Sequence, residues 1–129
     1  MSADRVREVR IPAADLPPPG RIAMVEIGRH RIGVIRLGEE IHALADRCPH
    51  RGGPLCSSGQ IVTSIERRPD GTLDLGPEGA LIRCPWHKWD FDIATGTCPV
   101  DGHMRVRTYA VRRDGDGVVV SLNRTPGGV

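Results

Sequence analysis

Glycine and proline punctuate this chain too often for long helices: they are 16 and 11 of its 129 residues, about a fifth. Between them lie short segments of alternating apolar and polar residues, the period-2 pattern of half-buried strands. RVREVRI (5–11), RIAMVEI (21–27), RHRIGVIRL (29–37) and EEIHALAD (39–46) read as strands, with Gly28 and Gly38 placed for tight hairpins. PAADLPPPG (12–20) is a proline-rich connector with room for one helical turn near residues 13–16. QIVTSIERR (60–68) and TLDL (72–75) flank a PDG turn, and MRVRTYAVRR (104–113) and VVVSL (118–122) flank DGDG. The expectation is an all-β, antiparallel sandwich or small barrel, formed by one domain over residues 1–129. The tail NRTPGGV (123–129) is expected to fray.

Composition excludes several functions. A net charge of +2 is too small to argue for nucleic acid, and four aromatic residues are too few for a base-stacking surface. No apolar run approaches the roughly 20 residues that a membrane span needs. The first ten residues, MSADRVREVR, contain no apolar signal region. The expected compartment is therefore the reducing cytoplasm, where four cysteines point to metal, redox chemistry or packing instead of disulfides.

Two places concentrate chemistry. DRCPHRGGPLC (46–56) and RCPWHKW (83–89) each follow an apolar strand, and each holds a Cys-Pro step with a histidine just beyond. The proline stiffens each turn, and Gly52 and Gly53 permit unusual dihedrals in the first. Three readings compete for Cys48, His50, Cys84 and His87. The histidines are surface residues and the cysteines small buried apolar groups; or the four form a Cys₂His₂ zinc site, although zinc fingers group two cysteines and then two histidines; or they hold a [2Fe–2S] cluster in which two histidines replace two cysteines on one iron.

At these two loops the sequence resembles the Rieske family: CPHRGGPL and CPWHKWDFD are similar to its paired cluster-binding loops. The resemblance implies a Rieske-like antiparallel β-sandwich, with a cluster-binding subdomain made of two loops at about 46–58 and 83–92. It implies one [2Fe–2S] cluster, with Cys48 and Cys84 on the buried iron and His50 and His87 on the iron nearer solvent. It also implies a third, proline-bearing loop, TGTCPVDG (95–102), with Pro99.

The departures from the family pattern carry expectations of their own. The family often has glycine where this chain has Lys88, whose ammonium would favour the reduced cluster or meet a partner. Respiratory members carry a bridging cysteine pair where Gly53 and Trp86 stand, and hydroxyl residues where Trp89 and Phe91 stand. Fewer donors to sulfur imply a potential low in the Rieske range. Residues 60–80 read as a lengthened hairpin tipped by RRPDG. Cys56 and Cys98 match no ligand position and read as packing residues, while Trp86, Trp89 and Phe91 are expected to wall the cluster from water, or, where Trp86 is exposed, to offer it as a docking contact.

The resemblance makes the chain a one-electron carrier without a substrate site of its own. His30, His42 and His103 show no pattern for a mononuclear iron site, and no Gly-x-Gly-x-x-Gly dinucleotide fingerprint is present. The leading expectation is a ferredoxin that passes electrons from a flavin- or nicotinamide-linked reductase to a terminal oxygenase. Its docking face would be basic, through Arg47, Arg51, Arg83 and Lys88. The alternatives are the small subunit of a larger oxidoreductase of the nitrite reductase type, and a non-redox zinc-binding interaction module.

Overall fold

Eleven strands are present among the described residues of the computed structural model, which are 7–49, 52–63, 65–75, 80–86 and 88–122. In chain order they are β1 (Glu8–Ile11), β2 (Ile22–Ile27), β3 (His30–Leu37), β4 (Glu40–Ala45), β5 (Gln60–Val62), β6 (Ile65–Arg67), β7 (Leu73–Leu75), β8 (Leu81–Arg83), β9 (Asp90–Asp92), β10 (Thr108–Asp114) and β11 (Gly117–Ser121). All named pairings are antiparallel. A 3₁₀ turn, Ala13–Asp15, sits in the proline-rich connector as expected.

Six strands form one sheet in the order β1-β11-β10-β4-β3-β2. Its two-residue turns fall where the glycines predicted them. Ile27 pairs with His30 across Gly28, and Leu37 pairs with Glu40 across Gly38; both glycines take φ of 59°, which L side chains rarely adopt. β3 is buried on both faces, and its alternation divides two cores. Ile32 and Val34 enter a core with Ile11, Ile27, Val118 and Val120, gathered from β1, β2 and β11. Ile35 enters a second core with Leu55, Ile82, Phe91 and Ile93. β4 repeats the division, with Ala43 in the first core and Leu44 in the second.

The second core seats a smaller three-stranded sheet, β5-β8-β9, on the large one. Leu55, Ile82 and Phe91 are fully buried there, each worth about 1.5–3 kcal/mol of apolar transfer. β6 and β7 form their own two-stranded ribbon, matching the lengthened hairpin expected at 60–80.

Three boundaries differ from the sequence reading. The single strand expected at 60–68 is two strands, because β5 pairs with β8 and β6 turns back on β7. The strand expected from residue 104 begins at Thr108, because Val106 N–H donates to the Gly96 carbonyl and Arg105 makes only an isolated bridge to Thr97. The second loop expected at 83–92 ends in a strand, because Asp90–Asp92 pairs with β8 as β9. Among the described residues no helix is long and apolar enough to cross a membrane.

Candidate metal centre

The two Cys-Pro segments fold into the same turn. After β4, Gly52 N–H donates to the Cys48 carbonyl (2.7 Å) and Cys48 N–H to the Gly53 carbonyl (2.9 Å). After β8, Lys88 N–H donates to the Cys84 carbonyl (3.1 Å) and Cys84 N–H to the Trp89 carbonyl (2.8 Å). In both, the bonds join the cysteine to the residues four and five positions on. The fourth position is left-handed in both, with φ of 74° at Gly52 and 59° at Lys88. Lys88 is the sole non-glycine with positive φ among the described residues, so the family's glycine at this place has a backbone reason.

Each turn is stapled beyond its own backbone. Asp46 precedes the first by two residues, and its side chain is 3% exposed. Its Oδ1 accepts the N–H groups of Cys56 (2.7 Å) and Ser57 (2.9 Å), closing the loop's far end onto its start. Around the second turn, Arg83 Nε and a terminal nitrogen donate to the two carboxylate oxygens of Asp90 at 2.7 and 3.0 Å. That bidentate pair raises the Arg83 pKa and occupies its guanidinium, so Arg83 is not a free docking cation.

Close approaches join the turns to each other and to the sheet. A Cβ on Gly59 would strike the carbonyl oxygens of Leu55 and Arg83, so Gly59 is where the first loop's end meets the strand that leads into the second turn. A Cβ on Gly53 would fall 2.9 Å from Trp86 Cδ2, so the indole lies against the first loop at that glycine. The positions that carry paired cysteines in respiratory relatives thus face each other here as glycine and tryptophan. Gly33 on β3 leaves the space that the Cys56 side chain fills.

Cys48 and Cys84 are each 1% exposed, are free of disulfides, and lie in the same core. His50 and His87 lie outside the described residues, as does Arg51. Among the described residues no three His, Cys, Asp or Glu side chains group as a metal site. The other two cysteines are packing residues, as expected. Cys56 has its thiol against the Leu44 and Ala45 carbonyls, and burial pushes its pKa up to about 12, so it stays a neutral, inert thiol. Cys98 is buried in the same core. Of the three aromatics, Phe91 is wholly in the core, Trp89 packs at its edge, and Trp86 is 56% exposed, the alternative expected for it. Pro99 and Val100 are exposed at the third loop.

Two buried, unbridged thiols, each at the head of a rigid turn that also carries a histidine, suit a [2Fe–2S] cluster. They do not suit a zinc finger, whose like ligands come paired. The Rieske [2Fe-2S] domain family model matches residues 8–110. The chain belongs to the Rieske [2Fe–2S] family. Its cofactor is a [2Fe–2S] cluster and its chemistry is electron transfer. The chain is 30% identical over 89 residues to ferredoxin CarAc of Metapseudomonas resinovorans, covering 68% of this chain and 67% of that ferredoxin. It is 34% identical over 77 residues to mouse (Mus musculus) apoptosis-inducing factor 3; the match covers 60% of this chain and 10% of that protein's length. Among solved structures, a chain in the complex of reduced oxygenase and oxidised ferredoxin of carbazole 1,9a-dioxygenase superposes with a TM-score of 0.69 at 22% identity. It covers 94% of this chain and 98% of that one, a likeness of fold.

Sequence reasoning singled out the two Cys-Pro turns but not the staples. Asp46 and Asp90 flank the two motifs and were visible as residues, yet their partners are set by folding. Gly59 carried no signal beyond being a glycine after the first loop.

Proposed function

We propose that Cys48 and Cys84 ligate one iron of the cluster and His50 and His87 the other, and that the chain works as a cytoplasmic ferredoxin between a flavin- or nicotinamide-linked reductase and a terminal oxygenase. The observation that carries this reading is the pair of equal turns headed by buried cysteines without disulfides, each followed in sequence by a histidine. The likeness to a named ferredoxin, and in fold to a chain of a ferredoxin–oxygenase complex, supports the choice of partner class. When bound, a Rieske cluster accepts and releases one electron at a time.

The chain's own residues set the terms of that exchange. Burial of Cys48 and Cys84 keeps water from the thiolates, and the stapled turns hold both in place, which limits reorganisation when charge changes. Trp89 and Phe91 offer no hydroxyl to the cluster's sulfurs, which leaves added negative charge less stabilised. The midpoint is therefore expected near the lower end of the roughly −150 to +300 mV Rieske range.

Potentiometric titration of the purified protein tests this reading. A single one-electron wave near that lower end supports a low-potential carrier fed by a reductase, and a strongly positive midpoint contradicts it. Isolation in stoichiometric complex with a catalytic subunit would replace the free shuttle by the subunit reading.

A further inference from the structure

The structure places five arginines around one groove beside the first cysteine turn, with an open volume of about 480 Å³. Arg29 and Arg31 come from the β2–β3 turn and the start of β3, Arg47 from the residue before Cys48, and Arg105 and Arg107 from the segment entering β10. Tyr109 lines the same groove, with the Arg107 guanidinium 4.7 Å from its ring centre. The groove has one carboxylate, Asp46, and that group is already bound to the Cys56 and Ser57 N–H groups and lies 3.8 Å from Arg31.

Outside the groove, Arg10, Arg83 and Arg112 each pair with a carboxylate, and Arg36 and Arg113 bond backbone carbonyls. In the groove, Arg29, Arg47 and Arg105 are exposed and have no ion-pair partner among the described residues. The whole chain carries only +2, so this excess is a local feature and not general basicity. Pro49 also lines the groove, and the next residue is His50.

We propose that this groove is the docking surface for a carboxylate-rich face of the electron-transfer partner. The inference rests on the ferredoxin reading and gives its partner a chemistry. Guanidinium groups on three separate segments match several carboxylates presented by one protein surface, each able to accept a planar, two-pronged bond. A face seated on Arg29, Arg47 and Arg105 lies against Pro49 of the first cysteine turn. The charge brings the partner to that side of the molecule before contact. The basic face expected from the sequence is thereby moved: Arg47 belongs to it, Arg83 does not, and four arginines distant in sequence join it.

The test uses the purified holoprotein at low ionic strength and an octaglutamate peptide as probe, with binding followed by calorimetry. The double variant Arg29→Glu/Arg105→Glu should bind the peptide at least about tenfold more weakly than the native protein, the low end of electrostatic steering effects. Arg21→Glu, at the opposite end of the β2–β3 ladder, should leave binding unchanged. Oxidation of the reduced protein by anionic hexacyanoferrate(III), which takes one electron from it, should slow by a similar factor in the double variant, with an unchanged midpoint. Equal weakening by Arg21→Glu, no peptide binding at all, or inorganic phosphate binding as tightly as the peptide would overturn the proposal. A coloured protein whose peptide binding ignores Arg29 and Arg105 sinks the groove alone. A colourless protein that still binds the peptide through them sinks the electron-transfer reading alone.

Discussion

The two cysteine turns are the same turn made from different residues. Both close with bonds from positions four and five back to the cysteine, and both need a left-handed fourth residue. Yet the histidine stands two places after Cys48 and three after Cys84, and the left-handed residue is Gly52 in one and Lys88 in the other. The supports differ as well: a buried carboxylate receiving backbone N–H groups holds the first turn, and a half-exposed ion pair holds the second. What the two share is the backbone path that presents a buried cysteine; what they do not share is free to vary. The difference teaches that one backbone path can be reached with different residues and different supports, each chosen by local cost.

The largest expected effect treats the turns as equals. Cys48→Ser and Cys84→Ser should each abolish the iron–sulfur absorbance, read together with iron content. Retention of the full cluster by either variant would break the symmetry. Next comes the contact that couples the turns: Gly59→Ala pushes a methyl against backbone on both sides and should cost about 3 kcal/mol in a denaturant titration. Loss of well under 1 kcal/mol would mean that the loops do not lean on each other there.

The two staples should then separate the turns. Asp46→Ala leaves two N–H groups without their buried acceptor and should cost about 2–3 kcal/mol. Asp90→Ala removes a pair whose Arg83 side chain is 40% exposed and should cost about 1 kcal/mol or less. Equal losses would erase the contrast. The smallest effect sharpens it most: Lys88→Gly should stabilise the apoprotein by about 1 kcal/mol, since a non-glycine residue bears roughly 1–2 kcal/mol of left-handed strain. Gly52→Ala should destabilise it by a similar amount.

These contrasts also mark how far the sequence could be read. The hairpins of β2, β3 and β4 were legible because alternation and a positive-φ glycine act within a few residues. The two Cys-Pro turns were legible because each motif is contained in one short stretch of sequence. The split between β5 and β6 was not, since both halves alternate equally well and only the partner strand distinguishes them. The late start of β10 has the same cause: residues 104–106 look like strand but make their backbone pairings with the third loop. Asp46 reaching Cys56, and Arg29 and Arg105 lining one groove, depend on packing that no short window contains.

The most direct measurement is pulsed EPR of the reduced, freshly purified protein, with iron and acid-labile sulfide assayed on the same sample. The account predicts two irons and two sulfides per chain, a rhombic signal, and couplings from two imidazole nitrogens that fall to one in His50→Ala or in His87→Ala. A protein that contains zinc and no sulfide, or a cluster signal without nitrogen coupling, would contradict it.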